Sequence, residues 1–444
     1  MTTRRAVLQA TAAGWLIGQL GASRRSLPGQ TIGASHEIGH LLRDPSRARD
    51  FPEGPAERCD VVIAGSGVSG MSAAWRLAPA GLDVRVLELE SFVGGTSSWG
   101  EDGAVAHPWG AHYLPAPNPE ARATVRLLEQ MGVITGFDPL GLPLFDGRAL
   151  CHAPEERLFY RGKWHPGLVP AAALSKEELA DLERFSDIVH DLAERRGSDG
   201  RFAFQIPLAE SSRDPELLAL DTMSMTSWLD KESFDTDFIR WYVKYATLDD
   251  FGGHPDDVSA WAGLHYFAAR KLKTPQLEGS HFLVWPEGNG RLVRELKERS
   301  GARITTGMLV IGVEPTDGGV ALRAVDWAAK QRRTIEAKAV VLAVPAFVAR
   351  RLVANAPPLP HRASSPWLVA NLHVERKLDP DSAWDSVLYD GTGLGYVDAS
   401  HQLTPPREET VLTYFRAFGA ADVQGTRAKL LVAPWEGLAD SVFR

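Results

Sequence analysis

Three glycines between residues 65 and 70 carry the clearest chemical signal in this sequence. The apolar run Val-Val-Ile-Ala at 61–64 leads into Gly65, Gly67 and Gly70, and a helical pattern follows. In such a turn the first glycine permits a tight bend, the second admits a pyrophosphate close to the main chain, and the third lets helix and strand pack closely. The pyrophosphate then lies against free N–H groups at the helix N-terminus. This strand–turn–helix context predicts a dinucleotide site.

A second predicted strand supplies an acidic residue. The segment Asp83-Val-Arg-Val-Leu-Glu-Leu places Glu88 at the end of that strand. A carboxylate there can accept hydrogen bonds from ribose hydroxyls. The alternative is a glycine-rich turn that binds nothing, but strand, helix and acidic residue are all in place.

The residues after Glu88 indicate which dinucleotide is bound. An acidic strand end followed by the pair Gly94-Gly95 resembles the flavin amine oxidase superfamily, which includes amine oxidases, phytoene desaturases and protoporphyrinogen oxidase. Residues 109–115 resemble the family segment that returns to the flavin. Residues 285–290, a following helix and the strands at 308–313 and 337–345 resemble the second FAD-binding block. The resemblance covers roughly residues 58–440.

The resemblance implies FAD as the cofactor and an α/β fold. It implies a Rossmann-type FAD-binding domain with a discontinuous α+β substrate domain. Val310 matches a family valine that meets the adenine, and no catalytic acid or base can be named. The implied cofactor-binding residues are Gly65, Ser66, Gly67, Ser69, Gly70, Glu88, Gly94, Gly95, Thr96, Gly110, Ala111, His112 and Val310.

The order of these blocks predicts the domain organisation. The nucleotide-binding segments are separated by a long insertion that we interpret as the first part of a substrate domain. It has helical patterns at 120–131 and 176–194 and a hairpin-like stretch at 157–164. The expected boundaries are 1–23 for a signal, 24–56 for a linker, 57–117 and 280–360 for the FAD-binding domain, and 118–279 and 361–444 for the substrate domain.

The bulk composition restricts the class of protein. The net charge is −8, so a basic surface for nucleic acid is not expected. Only two cysteines occur, and no Cys/His spacing resembles a metal site. The pair Asp249-Asp250 is interpreted as a turn, and Asp256-Asp257 as charge at a helix N-terminus; a metal or acid–base role for them is the less favoured alternative.

The N-terminus predicts export. Arg4-Arg5 precedes a short apolar stretch, which fits a twin-arginine signal and makes the twin-arginine machinery an expected partner. The protein would then act outside the cytoplasm, in the periplasm or beyond the cell membrane. The alternative is a chance arginine pair before a buried helix.

An aromatic cluster in the insertion has two interpretations. It can line an apolar substrate channel, or it can be core packing at helical spacing, which is favoured. Its members are Trp228, Trp241, Tyr242, Tyr245, Trp261, Tyr266 and Phe267.

Two departures from the family pattern affect the expected function. Many amine oxidases hold a lysine near the flavin on a substrate-domain strand, where this chain has Asn371, or Ala370 with a one-residue slip. An electron acceptor other than oxygen therefore stays open. We also expect a final flavin-contacting segment to be missing, so that the chain is C-terminally truncated and Leu438, Val442 and Phe443 are partly exposed.

Three functional hypotheses follow. The first is an exported, amine-oxidase-like FAD-dependent oxidoreductase that passes hydride from a small organic substrate to the flavin. The second is a non-catalytic dinucleotide-binding remnant. The third is an NAD-dependent dehydrogenase, against which the Gly94-Gly95 pair and the long insertion argue.

Overall fold

The computed structural model describes residues 28–33, 35–103, 105–270, 282–354, 356, 364–377, 379, 381–419 and 422–443. Contacts divide the chain into a large unit, residues 34–424, and a small unit, residues 1–33 with 425–444. The predicted signal lies outside the described residues. Within the described ranges, no helix combines the length and apolar character needed to span a bilayer.

The helices are numbered here in chain order. They are α1 His36–Gly39, α2 Val68–Leu77, α3 Arg122–Gln130, α4 Lys176–Glu194, α5 Pro215–Leu218, α6 Met225–Lys231, α7 Asp237–Phe251, α8 Ala260–Ala268, α9 Gly290–Ser300, α10 Ala346–Leu352, α11 Val423–Val432 and α12 Trp435–Phe443.

The strands are numbered in the same way. They are β1 Glu57–Ala64, β2 Val84–Leu87, β3 Trp99–Gly100, β4 His107–Pro108, β5 Tyr113–Pro115, β6 Ile134–Phe137, β7 Pro143–Phe145, β8 Glu156–Tyr160, β9 Lys163–Pro166, β10 Phe282–Val284, β11 Arg303–Thr305, β12 Met308–Thr316, β13 Gly319–Asp326, β14 Gln331–Leu342, β15 Trp367–Val374, β16 Asp385–Leu388, β17 Gly395–Asp398 and β18 Thr410–Ala417.

The first large sheet holds the predicted nucleotide-binding turn. Its strand order is β11-β2-β1-β14-β13-β12, and the first four strands run parallel. Strand β1 is apolar and buried over residues 61–64, as expected for a parallel strand covered on both faces. Helices α2 and α9 supply buried side chains such as Met71 and Val293 to the same core. The predicted α/β fold class is confirmed.

The second large sheet has the strand order β15-β18-β17-β16-β8-β9. The predicted hairpin at 157–164 forms β8 and β9, and the glycine-rich segment 391–395 is the connection from β16 to β17. Strands β8 and β16 run parallel, with Glu156 opposite Asp385. Two acidic residues that are distant in sequence are thereby brought side by side.

A helical layer, α4 to α8, has its own core. Helix α4 has the predicted bounds, 176–194, and begins with a capping box between Ser175 and Glu178. The buried rings of Phe185, Trp228 and Phe234 pack against one another in this layer. Because both sheets and these helices fall within one unit, the domain boundaries stay predictions.

The segment predicted as a linker is more ordered than expected. Residues 36–51 form α1 and short 3-10 turns. Leu41 and Ala48 are buried and share a core cluster with Leu309 and Val325. The serine- and arginine-rich composition of this segment gave no indication that these apolar residues are buried. They cover β12 and β13.

One of the two acidic pairs differs from expectation. Asp249-Asp250 lies in the last turn of α7, which ends at the left-handed Gly252, and not in a turn between elements. Asp256-Asp257 lies just before the N-terminus of α8, as expected, and the side chain of Ser259 caps that helix.

At the C-terminal end, the expected exposure is only partly found. Phe443 is 47% exposed and Val442 is half-buried, but Leu438 is only 8% exposed. The prediction was therefore wrong for Leu438. Leu438 lies inside helix α12, whose apolar residues cannot be assigned to a buried or exposed face from their spacing alone.

Candidate cofactor and substrate site

The turn from β1 to α2 has the close contacts that its glycines predict. Gly65 has a φ of 99°, and a Cβ there would lie 2.4 Å from the carbonyl oxygen of Ala343. A Cβ on Gly70 would lie 1.9 Å from the carbonyl oxygen of Gly65. Neither position can accept a side chain unless the backbone moves.

Gly67 is different, because a side chain there would meet no clash. Its φ of −65° suits any residue, and a Cβ there would lie 3.7 Å from the Gly94 carbonyl oxygen, an ordinary contact. Gly67 is also the N-cap of α2 and supplies no side-chain cap, while Ser69 is exposed in the first turn. The first-turn N–H groups thus border a space between two glycine loops, which suits a pyrophosphate.

Glu88 lies where the sequence places it, at the end of β2. It is 8% exposed, and its Oε2 accepts hydrogen bonds from the Ser66 backbone N–H at 2.8 Å and the Ser66 hydroxyl at 2.6 Å. Oε1 accepts from the Glu90 N–H at 2.9 Å. An ionised carboxylate has about four acceptor positions, so one remains for a ribose hydroxyl.

The other predicted residues adjoin this turn. The Gly94 N–H donates to the Ser66 carbonyl, and the Ala111 N–H donates to the Thr96 carbonyl. A Cβ on Gly110 would lie 2.2 Å from the Thr96 carbonyl oxygen. Strand β12, which carries the buried Val310, starts at Met308 with a backbone hydrogen bond to Glu88. The structure therefore brings the thirteen predicted residues into neighbouring segments.

His112 is the last of the predicted cofactor-binding residues in the segment 110–112. Its ring stacks on Phe415 with the centroids 4.2 Å apart, and its Nδ1 lies 3.2 Å from the Gly110 carbonyl oxygen. Because that oxygen can only accept, Nδ1 carries the proton. Burial lowers the pKa of His112 to about 4, so the ring is neutral at neutral pH.

Asn289 is a candidate that the sequence reasoning missed. It lies just before α9, donates from Nδ2 to the Tyr113 carbonyl at 2.9 Å, and donates its N–H to the Ala111 carbonyl. Its Oδ1 is buried and has no hydrogen-bond partner among the described residues. The sequence Gly-Asn-Gly directly before a helix could have pointed to Asn289 as a site residue. A buried acceptor without a donor beside His112 fits a polar ligand.

These features together fit FAD. The space beside Gly67 would be filled by a side chain, an uncapped helix N-terminus faces it, and a buried carboxylate and a buried amide oxygen keep acceptor capacity. Residues 65–70, 88 and 94–95 would hold the dinucleotide, and residues 110–112 would approach the ring system.

Next to His112 lies a group of carboxylates that we call the acidic cluster: Glu156, Asp249 and Asp385. The Tyr113 hydroxyl donates to Asp249 Oδ2 at 3.0 Å, and the Tyr245 hydroxyl donates to Asp385 Oδ2 at 3.3 Å. The ring of His112 contacts Tyr113 and Trp384, whose sequence neighbour is Asp385. The acidic cluster is therefore one side chain away from His112.

The electrostatics of the acidic cluster are unfavourable without a cation. Burial raises the pKa of Glu156 to about 7, with a further contribution from Asp249. Burial also raises the pKa of Asp249, and it raises that of Asp385 well above its usual range, where Glu156 adds to the effect. Yet all three residues keep some exposed surface. Desolvated carboxyl groups that keep some exposed surface are candidates for a functional site.

Among the described residues, Arg270 is the positive group that acts on the acidic cluster. It forms an ion pair with Asp250 at 2.9 Å and lies over the ring of Tyr266 at 3.9 Å. Its charge lowers the pKa of Asp249 and of Glu156, against the larger effect of burial. In the part of the chain that the structure describes, one guanidinium thus faces several carboxyl groups, more than a single positive charge can balance when they are ionised.

The predicted aromatic cluster packs mainly as core, the favoured interpretation. Trp228 and Trp261 are buried in the helical core. Tyr245 is buried in a second core cluster beside the second sheet, and Tyr242 packs against both clusters. Tyr266 lies against Arg270.

Asn371 lies on β15 as predicted, opposite Thr413 of β18. Its Oδ1 accepts a hydrogen bond from the Thr413 hydroxyl at 2.9 Å. This bond fixes the orientation of the amide and leaves its N–H groups as hydrogen-bond donors. Asn371 carries no charge.

Comparison with known proteins agrees with this geometry. The family model of flavin containing amine oxidoreductases matches residues 68–424. The chain is 26% identical over 312 residues to amine oxidase [flavin-containing] B of Sus scrofa, covering 69% of this chain and 54% of that protein. It is 25% identical over 327 residues to an L-amino acid dehydrogenase of Synechocystis, covering 69% and 60%. The chain thus spans little more than half the length of these relatives.

Solved structures share the fold. A putrescine oxidase bound to putrescine superposes with a TM-score of 0.62 at 19% identity, covering 87% of this chain and 82% of that one. A fatty acid isomerase from P. acnes gives 0.55 at 16% identity, covering 86% and 83%. The fold is thus shared by enzymes of different chemistry. The sequence match over most of the chain places an FAD cofactor here rather than NAD, and this chain belongs to the flavin-containing amine oxidoreductase family.

Proposed function

We propose that this chain oxidises an amine, which it binds as a cation at the acidic cluster. FAD, when bound, supplies the acceptor for a hydride that leaves the carbon next to the amine nitrogen. The observation that carries the proposal is the gathering of Glu156, Asp249 and Asp385 beside His112.

Charge favours an amine over a neutral or anionic substrate. A carboxylate is costly to keep desolvated, and a bound ammonium would replace its lost hydration. The side chains of Tyr113 and Tyr245 contact these carboxylates, and Trp384 contacts Tyr113, so aromatic rings lie beside the proposed position of the cation. An anionic substrate would be repelled by the acidic cluster.

In this proposal, different residues around the site bind the substrate, orient the carboxylates and set the local charge. Asp249 and Asp385 bind the ammonium, and their tyrosine donors hold the carboxylates in place. Neutral His112, stacked on Phe415, carries no positive charge that would repel the substrate. Asn371 provides no charge for reaction with oxygen, so the electron acceptor stays open.

Flavin reduction under anaerobic conditions tests this function without assuming an acceptor. The FAD-loaded protein is mixed with primary amines, diamines, neutral alcohols and fatty acids, and the flavin absorbance is followed. We expect bleaching by amines only. In Asp249→Asn the concentration for half-maximal reduction should rise about tenfold or more, since a charge-assisted contact contributes roughly 1.5–3 kcal/mol.

The matched control is Asp187→Asn, an exposed position on α4, which should behave as wild type. If none of the tested compounds reduces the bound flavin, the protein is a non-catalytic binding remnant and the proposal is wrong. If alcohols or fatty acids reduce the flavin and amines do not, the protein oxidises another class of substrate and the proposal is also wrong.

We also propose export by the twin-arginine route, from the sequence alone. Arg4-Arg5 precedes a short apolar stretch interrupted by Gly14 and Gly18. Replacing both arginines by lysine should retain the protein in the cytoplasm, as cell fractionation would show. Unchanged export of that variant would contradict the proposal.

A further inference from the structure

Three side chains from separate segments converge beside the second sheet. Asp102 follows β3, His107 begins β4, and His373 lies near the end of β15. One potential ligand atom from each lies within 4.8 Å of the others. We propose that these residues form a binding site for a divalent transition metal ion such as Zn²⁺.

The orientation of His107 is the first argument. Its ring is 1% exposed, and Nδ1 lies 3.1 Å from the carbonyl oxygen of Val105. A carbonyl oxygen can only accept, so Nδ1 holds the proton and Nε2 presents a lone pair. A metal-binding histidine commonly has this arrangement, with its second ring nitrogen donating to a backbone carbonyl.

The second argument is what Nε2 faces. Asp102 Oδ1 lies 3.5 Å from it, so two electron-pair donors point at each other. A positive charge is needed between them, and it can be a proton or a metal ion. The ring of His373, with its centroid 5.1 Å from that of His107, adds a third donor group. Three donors favour a metal ion, because one proton can join only two of them.

The spacing and the ligand types fit Zn²⁺. Tetrahedral ligands at about 2.0–2.1 Å from the metal lie about 3.4 Å apart, close to the separation of Asp102 from His107. Asp102 and His373 are both exposed and can adjust their positions. Two histidines and one carboxylate leave the fourth position to water.

Such a site would join two parts of the large unit. Asp102 and His107 belong to the β3–β4 hairpin, which leads into residues 109–112, while His373 pairs with Val411 in the second sheet. A Cβ on Gly103 would lie 2.6 Å from His373 Nδ1, so the hairpin already packs against that ring. A bound ion would fasten the hairpin to the sheet.

Calorimetric titration of the untagged, EDTA-treated, FAD-loaded chain with Zn²⁺ tests the proposal. We expect about one ion per chain and a higher melting temperature in its presence. In Asp102→Asn and His373→Ala the affinity should fall at least about tenfold. Both substitutions are at exposed positions, and retained FAD would show that the variants fold.

His190→Ala removes an exposed histidine on α4 and should leave Zn²⁺ affinity unchanged. The visible spectrum of the Co²⁺-substituted protein should be that of a tetrahedral site and should be lost in His373→Ala. If wild type binds neither ion, Asp102 and His107 form only a proton-bridged pair and the proposal is wrong. Equal binding by all the variants would place the ion elsewhere and also overturn it.

Discussion

The hydroxyl of Tyr113 donates a hydrogen bond of 3.0 Å to Asp249 Oδ2. This bond joins the segment that carries His112 to the last turn of α7, so the cofactor-proximal loop and the acidic cluster are held together by one contact. Tyr113 also contacts the rings of Phe282 and Trp384. The ring and the hydroxyl therefore have separate roles.

Tyr113→Phe keeps the ring and removes the hydrogen bond. We expect the free energy of unfolding to fall by about 1–2 kcal/mol, because the half-buried Asp249 loses its donor. FAD binding should persist. Chemical denaturation measures the loss, and Tyr389→Phe, a substitution in the neighbouring aromatic packing, is the control. No change in Tyr113→Phe would show that water replaces the donor.

Gly67 and Gly70 offer a matched pair of substitutions in one turn. Gly67→Ala should fold normally, because its Cβ makes only ordinary contacts, but it should lose FAD affinity at least about tenfold by occupying the pyrophosphate space. Gly70→Ala should lower the melting temperature instead, because its Cβ would meet the Gly65 carbonyl oxygen. Flavin titration and thermal unfolding separate the two effects. If Gly67→Ala kept full FAD affinity, Gly67 would not be the residue that leaves space for the pyrophosphate.

The raised pKa of Glu156 predicts that the stability of the protein depends on pH. Its pKa is raised from 4.5 to about 7, so between these values the folded chain binds the proton that the unfolded chain has lost. The free energy of unfolding should therefore fall as the pH rises through this window. Glu156→Gln removes this contribution and should be more stable than wild type at pH ~8, by on the order of 2–3 kcal/mol, with little difference at pH ~4.

Denaturant titrations at several pH values check the prediction for Glu156. Glu183→Gln, at an exposed position on α4, should follow the wild-type curve. A stability gap between Glu156→Gln and wild type that is independent of pH would mean that packing, and not ionisation, is the cause.

FAD should be held without a covalent bond. Burial raises the pKa of both the Cys59 and the Cys151 thiols, so neither forms a nucleophilic thiolate at neutral pH. Cys59 lies in β1, outside the glycine turn. Acid precipitation should release all the flavin into the supernatant, and colour on the precipitated chain would contradict this.

The sequence alone determined the nucleotide-binding half of this protein. Gly65, Gly67, Gly70 and Glu88 are close together in the chain. Local geometry requires Gly65 and Gly70, Glu88 follows the end of one strand, and the motif spacing marks Gly67, whose backbone would accept a side chain. Periodicity gave helix α4 its observed bounds and located β12 and β15, because these elements have strong local patterns.

Only the tertiary structure could reveal the acidic cluster and the proposed metal site. Glu156 and Asp385 become neighbours through the pairing of β8 with β16, across more than 200 residues, and Asp249 reaches them from α7. Asp102 and His373 likewise meet only when the hairpin packs on β15. No local spacing encodes such a contact, because strand pairing and side-chain burial are decided by the packing of the whole unit. Local geometry thus determines the cofactor turn, whereas the acidic cluster, to which we assign substrate binding, arises from long-range packing.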